Sequence, residues 1–597
     1  MRPVTLLAPG LTRFGVARHT SCAAVLLLGL AASACGKDSP TGPSGTTVGP
    51  TGGTLTFAGG SVVLVFPEGA VSQRVTVSVQ ATTQYPANPG VVPGAVYEFQ
   101  PAGLRFAAPV LLGMLYNPAG VPAGVPEDEL TMGQVAGAGW TELGQTEVDP
   151  ASHAVAAAIG GFSTYGVMAI PVAAVTVSPA SATVLRDQTL ALHATVMAAG
   201  ARTLDHRAVQ WSSSNPSVAT VDGSGVLTSV AEGTVTVTAR SDQVAGTAAI
   251  SVRVLDFVSV TAGGEHSCGL TTSGDAWCWG PTPLPVSGGL TFTKLDAGQE
   301  HTCGVIASGT AYCFGRGDDG QLGNGSFTSD VGFLTPVLVV GGRTWTAVSA
   351  GFVHTCGLTS DSDAYCWGNN ALGTLGDGST TSSASPVLVA GGIKFQAVSA
   401  GAWFSCGVAL DGRGYCWGYN PTGNLGDGTT QDHHLPAPLA GDLVWRAIGA
   451  GANYACGVTT DDHAYCWGGN NGGALGDGTT TDRSAPVLVT GGLSFLSISA
   501  DNSHTCGVVT DASAYCWGGN QLGQLGIGST ISQTAPAQVA GGFGWQSVSV
   551  SLSGVGAHTC GITSGNVVYC WGTGDRGQLG NGSYNNMTLP VRVLGQR

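Results

Sequence analysis

The chain has 597 residues, too many for one hydrophobic core, so several domains are expected. Charged residues make up only 10% of the chain while glycine contributes 95 residues, and this composition favours strands and turns over helices. The formal net charge is −15 and the sequence has no basic run, which excludes the electrostatic footprint that nucleic-acid binding needs. We therefore predict an all-β, multidomain protein without a nucleic-acid partner.

Residues 1–35 have the pattern of an export signal. Three arginines precede an apolar run of about ten residues, which is too short for a permanent membrane span but typical of a signal-peptide core. Small residues then lead to Cys35, and the stretch Leu30–Gly36 resembles the bacterial lipoprotein signal. The resemblance implies a lipid anchor on Cys35 and an exported protein, held to a membrane in the periplasm or at the cell surface. Cleavage near Ala34 by the ordinary signal peptidase is the alternative, because Ala32 stands where that signal usually has leucine.

The next stretch, residues 36–53, has the composition of a tether. Serine, threonine, proline and glycine dominate it, so it cannot bury enough apolar surface to fold. We expect a disordered linker between the anchor and the first folded domain.

Residues 54–170 contain short alternating apolar runs, such as Val62–Val65, which predict strands separated by Pro and Gly turns. Together with Phe66–Ala70 and Phe162–Tyr165, these runs resemble the ZU domain of ankyrins and netrin receptors. Some relatives of that domain cleave themselves at a His-Phe-Ser sequence. Here glycine replaces the histidine before Phe162 and Ser163, so the serine lacks an adjacent base and no autoproteolysis is expected.

Residues 172–255 carry the segments Trp211–Asp222, Gly225–Thr228 and Glu232–Ala239, which resemble the group 2 bacterial immunoglobulin-like domain. Short strands separated by regularly spaced turn residues also predict a β-sandwich on physical grounds. We interpret Trp211 as a core residue and the whole domain as a spacer.

Residues 256–597 consist of seven copies of one sequence unit, of which the third to sixth recur every 50 residues. Each copy predicts four short strands, which is one blade of a propeller, and such a blade cannot bury its faces without neighbours. The copies resemble the regulator-of-chromosome-condensation repeat, which implies a seven-bladed β-propeller. We also predict that the last strand, Pro590–Leu594, pairs into the first blade and closes the ring.

Fourteen of the sixteen cysteines form seven pairs whose members are ten positions apart. A hairpin can place two such sulfurs across adjacent strands, so we predict one disulfide per blade and, from it, an oxidising compartment. Zinc is the competing interpretation, but it needs thiolates from two hairpins in one tetrahedron. The predicted pairs are Cys268 with Cys278, Cys303 with Cys313, Cys356 with Cys366, Cys406 with Cys416, Cys456 with Cys466, Cys506 with Cys516, and Cys560 with Cys570.

Two other repeated residue types suggest metal binding at first sight. A histidine stands two positions before the cysteine in five copies, but Phe404 and Tyr454 replace it in two others, so we interpret the series as packing. Asp377 and its counterparts precede a glycine and are interpreted as turn residues, since a calcium site needs several oxygens from one loop. We expect no metal and no cofactor.

Specificity is expected in loop residues that differ between copies, because binding residues usually lie on loops held by a rigid scaffold. The predicted function is binding of a protein or glycan at the cell surface. The alternative is inhibition of a secreted or periplasmic enzyme, as some relatives inhibit β-lactamase, whereas nucleotide exchange on a cytoplasmic GTPase does not fit an exported chain. No catalytic motif appears, so no enzyme is expected. The candidate binding residues are Arg316, Asp318, Asp319, Trp403, Tyr419, His433, His434, Asn453, Tyr454, Asp575 and Arg576.

Overall fold

The structure is a computed structural model that describes residues 46–327, 334–500, 502–551 and 557–596. The predictions for the export signal, for Cys35 and for residues 36–45 lie outside these ranges. Contacts divide the chain into two compact units. The first comprises Met1–Ala182, Leu190–Leu227 and Thr234–Ile250, and the second Thr183–Thr189, Thr228–Gly233 and Ser251–Arg597. Within the described residues, no helix is long and apolar enough to cross a membrane.

The first unit opens with two antiparallel sheets that share one apolar core, in the orders β1-β4-β5-β11-β7-β8 and β2-β3-β6-β10-β9. Their strands are β1 (Thr46–Val48), β2 (Gly53–Phe57), β3 (Val62–Phe66), β4 (Val75–Ala81), β5 (Val91–Gln100), β6 (Arg105–Leu115), β7 (Leu130–Ala136), β8 (Gly139–Glu142), β9 (Glu147–Asp149), β10 (Ala154–Gly161) and β11 (Thr164–Ala169). Short 3₁₀ helices lie at Ala58–Gly60, Pro118–Gly120 and Glu127–Glu129.

The predicted linker extends too far into the chain. Thr46–Val48 pairs with β4, and Val48 is buried in the core of the first domain. The linker prediction is therefore wrong for residues 46–53. Burial of the apolar side chain of Val48 stabilises a strand that the polar composition of the segment does not indicate.

The strands that follow are those of residues 174–253, which form three sheets in the orders β12-β15, β13-β20-β19-β16 and β14-β18-β17. They are β12 (Ala174–Ser178), β13 (Ser181–Leu185), β14 (Thr189–Ala191), β15 (His193–Met197), β16 (Gln210–Ser213), β17 (Ala219–Val221), β18 (Val226–Ser229), β19 (Gly233–Ser241) and β20 (Val244–Arg253), with a 3₁₀ helix at Ala199–Ala201. Trp211 is half-buried, and a Cβ at Gly225 would lie 2.8 Å from its ring, so the indole packs directly on that glycine.

The second unit contains, in its described residues, seven four-stranded antiparallel sheets whose strands follow chain order. Sheet 1 is β21 (Phe257–Ala262), β22 (Ser267–Thr271), β23 (Ala276–Trp279) and β24 (Pro283–Pro285); sheet 2 is β25 (Phe292–Ala297), β26 (His301–Ile306), β27 (Ala311–Gly315) and β28 (Val337–Leu338); sheet 3 is β29 (Trp345–Ala350), β30 (His354–Thr359), β31 (Ala364–Gly368) and β32 (Ser383–Leu388). Sheet 4 is β33 (Phe395–Ala400), β34 (Phe404–Ala409), β35 (Gly414–Gly418) and β36 (His433–Pro438); sheet 5 is β37 (Trp445–Ala450), β38 (Tyr454–Thr459), β39 (Ala464–Gly468) and β40 (Arg483–Leu488), with a 3₁₀ helix at Asn471–Gly473. Sheet 6 is β41 (Phe495–Ala500), β42 (His504–Val509), β43 (Ala514–Gly518) and β44 (Gln533–Gln538); sheet 7 is β45 (Trp545–Val550), β46 (His558–Thr563), β47 (Val568–Gly572) and β48 (Met587–Arg592).

Consecutive sheets contact one another, and β21 of sheet 1 contacts β45 and β46 of sheet 7, so the sheets form a closed ring. This is a β-propeller, as the repeats predict. A buried tryptophan from the third strand of one sheet fixes it to the preceding sheet: the Nε1 of Trp367 donates to the carbonyl of Gln321 at 2.9 Å. A Cβ at Gly323 would lie 2.7 Å from that nitrogen, so glycine is required for the contact.

A belt of side-chain oxygens links the first strands around the ring. The Oγ of Ser349 accepts from the N–H of Ala400 in the next sheet at 3.1 Å, and the Oδ2 of Asp296 accepts from the N–H of Ala350 at 2.9 Å. The same bond joins Thr261 to Ala297, Ser399 to Ala450, Ser499 to Val550 and Ser549 to Ala262. Gly449 occupies the equivalent place in sheet 5 and has no side chain to offer.

The predicted pairing of the last strand is wrong. Arg592 pairs with Tyr569 and Val591 with Cys570, so β48 is the fourth strand of sheet 7 rather than part of sheet 1. The pairing is local because each sheet is completed by the strand that follows its own hairpin, and sheet 1 already has β24 in this place. The chain end closes the ring differently: the N–H of Leu255 donates to the carbonyl of Gly595 at 2.6 Å.

Candidate functional site

All seven predicted cysteine pairs form disulfides, each between the second and third strands of one sheet. Cys356 lies directly opposite Cys366, and their Cα atoms are 4.0 Å apart. Both residues are fully buried. Because each sulfur is bonded to its partner in a disulfide, none of these cysteines offers a thiolate to a metal.

The repeated histidines are buried and connect neighbouring sheets. The Nε2 of His301 lies 2.8 Å from the Oγ1 of Thr355, and that hydroxyl donates its proton to the carbonyl of Gln321. The hydroxyl must therefore accept from Nε2–H, which fixes the tautomer of His301. The other members of the series are His266 with Thr302, His354 with Ser405, His504 with Thr559 and His558 with Ser267.

Burial lowers the pKa of His266, His301 and His354 to about 3, so these imidazoles are neutral at neutral pH. A neutral ring whose Nε2–H is bonded to a hydroxyl cannot use that nitrogen to bind a metal. The geometry thus agrees with the interpretation of this series as packing.

The two copies without the histidine keep the contact with different chemistry. Phe404 packs in one apolar cluster with Ala455, which has no hydroxyl. The hydroxyl of Tyr454 donates to the carbonyl of His504 at 2.6 Å. Tyr454 is 1% exposed, so its prediction as a binding residue is wrong: it fills the histidine position inside the ring.

Asp377 and its counterparts shape the loops between third and fourth strands. The Oδ1 of Asp377 accepts from the N–H of Ser379 at 2.9 Å, and Asn324 makes the same bond to Ser326. These bonds confirm the interpretation as turn residues. The left-handed residue is the following glycine, since Gly378 has φ 86°, and not the aspartate itself.

Most of the predicted binding residues lie on one edge of the ring, which we call the loop face. It consists of the loops between the first and second strands and between the third and fourth strands of each sheet. Neighbouring loops are hydrogen-bonded along the backbone: Phe352 N–H donates to Gly401, and Ala402 N–H donates to Gly451. Among the described residues, such backbone bonds support the loop face from sheet 1 to sheet 5.

Arg316, Asp318 and Asp319 come together there in sheet 2. The guanidinium of Arg316 donates to both carboxylate oxygens of Asp318, at 2.5 and 2.8 Å, and to Glu300 at 3.2 Å, and lies 3.5 Å from Asp319. The hydrogen bonds from Arg316 lower the pKa of Asp318. Three carboxylates around one guanidinium leave the cluster with a net negative charge.

An aromatic pair lies next to this cluster. The rings of Phe352 and Trp403 are 5.4 Å apart and both are half-buried, while the carbonyl of Trp403 accepts from the N–H of Tyr419. Asn369 links the cluster to the loop that carries Phe352, because its Nδ2 donates to Asp319 and its N–H donates to the carbonyl of Val353, the residue after Phe352. We call Glu300, Arg316, Asp318, Asp319, Phe352, Trp403 and Tyr419 the acid–aromatic strip.

Phe352 was missed by sequence reasoning. Phe352 follows Gly351 in the first loop of sheet 3, where the next copy has Ala402. Its ring packs on Trp403 in the first loop of the adjacent sheet. Aromatic residues at adjacent loop positions of two consecutive copies were the available signal.

The remaining candidates are separate from the strip. Asn453 is exposed on the loop face of sheet 5, and Asp575 and Arg576 are exposed on that of sheet 7, where Arg576 lies 3.8 Å from Glu265. His433 and His434 begin β36. His433 bonds to the turn residue Asp427 at 2.9 Å, and His434 packs on Gly373 of sheet 3.

Comparison with known families agrees with this architecture. The model of the RCC1-like domain matches residues 281–596, more than half of the chain, and an RCC1 repeat matches residues 257–280. The bacterial Ig-like domain of group 2 matches residues 171–252. The chain therefore belongs to the RCC1-like domain family and carries an Ig-like domain before its propeller. No match was found among the curated proteins.

Several solved structures are similar. Human WBSCR16 is 19% identical with a TM-score of 0.47, covering 52% of this chain and 84% of its own. Yeast RCC1 (Prp20), solved bound to Kap60, is 17% identical with a TM-score of 0.47, covering 57% of this chain and 84% of its own. The ectodomain of the Physcomitrella patens receptor kinase CR4 is 22% identical with a TM-score of 0.36, covering 54% and 73%.

Proposed function

We propose that this chain is an exported binding protein without catalytic activity, whose acid–aromatic strip contacts a protein partner. In this proposal the lipid anchor at Cys35 attaches the chain to a membrane, and the two N-terminal β domains, the first ZU-like, hold the propeller away from it. The observation that carries the proposal is the juxtaposition of Phe352 and Trp403 with the Arg316 cluster on one supported face.

The chemistry of the strip supports protein binding. Aromatic side chains on rigid loops offer large contact area at a small entropic cost, and they are typical of binding hot spots. The surrounding carboxylates, Glu300, Asp318 and Asp319, outnumber Arg316 and favour a partner that presents positive charge.

The disulfides support an extracytoplasmic location. Fourteen bonded cysteines suit an oxidising compartment and would be reduced in an ordinary cytosol. The repeated histidines and hydroxyls are used in contacts between sheets, which supports a structural rather than a catalytic role for them.

The test is affinity capture with the full mature chain and its disulfides intact. A double variant, Phe352→Ser with Trp403→Ser, should lose any specific partner, whereas Leu496→Ser, which alters an exposed leucine at the opposite end of a first strand, should retain it. Thermal unfolding of both variants checks that the ring is intact. Equal capture by both variants, or capture of no partner by the wild type, would overturn the proposal. Inhibition of the captured protein's activity would identify the inhibitor alternative.

A further inference from the structure

The first β domain contains a pocket of about 350 Å³ where the chain passes from β10 to β11. β10 belongs to one sheet of the sandwich and β11 to the other, so the pocket is walled by both sheets. Its floor includes Phe99 and Phe162, which are buried and stacked with ring centroids 5.8 Å apart. The volume lies near the lower end of the range for small-molecule sites, about 300 to 1,000 Å³, which indicates a small ligand.

Opposite charges stand on the two walls. Glu98 comes from β5 in one sheet and Arg105 from β6 in the other, and the two are not paired with each other in the structure. Glu98 accepts a hydrogen bond from Gln100. The guanidinium of Arg105 makes no hydrogen bond or ion pair with any residue that the structure describes, so all its donors are available to a ligand.

Neutral polar groups lie between the charges. Gln134 and Thr164 are half-buried in the lining, and the side-chain amide of Gln134 has no hydrogen-bond partner among the described residues. Ser163 contributes a hydroxyl whose one protein contact, to the carbonyl of Val135, is long at 3.3 Å. An amide with a free donor and a free acceptor is suited to bind a peptide group.

The register sets the length of the ligand. Glu98 is paired with Thr164 and Arg105 with Gly161, three residues earlier. The chain bends at Ser163, so Gly161 and Thr164 are closer together than the roughly 10 Å that three extended residues would span. An extended dipeptide is about 7 Å long and fits such a gap.

Gly161 is what allows the walls to approach. A Cβ there would lie 2.4 Å from the carbonyl of Leu104 and 3.3 Å from the Cδ of Arg105. Any larger residue would push Arg105 and the β6 strand away from the crossover, so the glycine both shapes the pocket and sets the position of its cation.

We propose that this pocket binds a zwitterionic dipeptide, with its carboxylate on Arg105, its ammonium on Glu98 and its peptide group on Gln134. A carboxylate can accept two parallel hydrogen bonds from a guanidinium. Because Glu98 and Arg105 are exposed, each ion pair alone is weak, and binding depends on engaging both charges and Gln134 together. This site is independent of the acid–aromatic strip and of its partner.

The experiment is calorimetric titration of the full mature chain with alanyl-alanine. Saturable binding with a Kd below about 1 mM is expected, and N-acetyl-alanyl-alanine and alanyl-alaninamide, which each lack one charge, should bind at least about tenfold more weakly. Arg105→Gln and Glu98→Gln should each lose at least about tenfold in affinity, while the exposed control Arg74→Gln should bind as the wild type does.

Thermal unfolding separates lost binding from lost folding, because alanyl-alanine should raise the Tm of the wild type and of Arg74→Gln but not of the two pocket variants. No saturable heat with alanyl-alanine would overturn the proposal. Binding that is unchanged in Arg105→Gln and Glu98→Gln, or equally tight for the capped peptides, would overturn it as well.

Discussion

Asp296 is the one carboxylate in the belt of side-chain oxygens that joins the first strands, where the other described members are serine or threonine. Burial raises its pKa from the ordinary value of 3.8 to about 6, although it accepts the N–H of Ala350. The folded state therefore binds this proton more tightly than the unfolded state. The contribution of the Asp296 carboxyl to the free energy of unfolding is therefore fully present below about pH 4, falls as the pH rises to about 6 and is lost above about pH 6.

Asp296→Ser is expected to stabilise the protein at pH 7 by on the order of 1 to 3 kcal/mol, because serine can accept the same N–H without a buried charge. At pH 4 the difference should nearly vanish. The measurement is calorimetric Tm from pH 4 to 7, with the exposed Asp442→Ser as the control. A gain that does not depend on pH would contradict the assignment.

Single positions were predictable from the sequence where copies could be compared. The replacement of the histidine by Phe404 and Tyr454 pointed to packing, and the neighbouring sheet changes with it, since Ala455 replaces a hydroxyl residue. Tyr454 was misassigned because an aromatic residue after Asn453 has the same signature whether it points inward or outward. Only the three-dimensional contact with the next sheet distinguishes the two cases.

At the scale of the strand, Gly449 interrupts the belt. A Cβ at this position would lie 3.8 Å from the N–H nitrogen of Ala500 and from the carbonyl of Ile498, so a larger residue fits without a clash. Gly449→Ser should place its Oγ where Ser399 has one and accept the N–H of Ala500.

Gly449→Ser is expected to raise stability by about 1 to 2 kcal/mol, from one hydrogen bond and from the smaller backbone entropy of the unfolded chain. Gly449→Ala is the matched control, because it changes the backbone term alone. The Tm should increase in the order glycine, alanine, serine. A serine variant no more stable than the alanine variant would show that the bond does not form.

The disulfide hairpins should be individually important. Replacing both Cys456 and Cys466 by alanine removes a cross-link with a sequence separation of 10 without leaving a free thiol. The chain-entropy model gives a loss of roughly 2 to 3 kcal/mol, and calorimetry of the full chain measures it. An unchanged Tm would mean that hairpin packing alone holds these strands.

For whole strands, the sequence predicted the local pattern well and the partners less well. The spacing of the cysteines indicated hairpins, and the structure contains them. The pairing of Pro590–Leu594 could not be deduced, because the repeat has no intrinsic starting point: the same strand can be counted as the first of one copy or the last of the copy before it. The strand at Thr46–Val48 was missed because three residues are too few for a periodic signal.

At the scale of the whole propeller, the chain end completes the ring. Gln596 is 1% exposed, and its side-chain amide accepts from the N–H of Val568 and donates to the carbonyls of Val568 and Val593. Its backbone forms a bridge with Leu255, at the entrance to sheet 1. Gln596 thus adds to the bonds that join the first and last sheets, which include those of Ala262 with Ser549 and of Ser267 with His558.

Gln596→Leu is expected to lower stability by at least about 2 kcal/mol, because buried backbone groups of Val568 would lose their partner. The control is Gln538→Leu on the outer strand of sheet 6, which is exposed. Thermal unfolding monitored by tryptophan fluorescence reports on the ring, where buried indoles are concentrated. Equal Tm values for both variants would show that closure does not depend on this residue.

Each type of link between sheets has a fixed direction round the ring. The histidine bonds to a hydroxyl of the next sheet, the belt oxygen accepts from the next sheet's N–H, and the tryptophan donates to the preceding sheet. Every copy therefore has complementary head and tail surfaces, and a duplicated copy would bring both halves of its new junction with it. Gly449 lacks the belt oxygen, and Phe404 and Ala455 replace the polar link by an apolar contact. A recombination that separated them would set an aromatic ring against a hydroxyl, so these two copies are expected to be inherited as a pair.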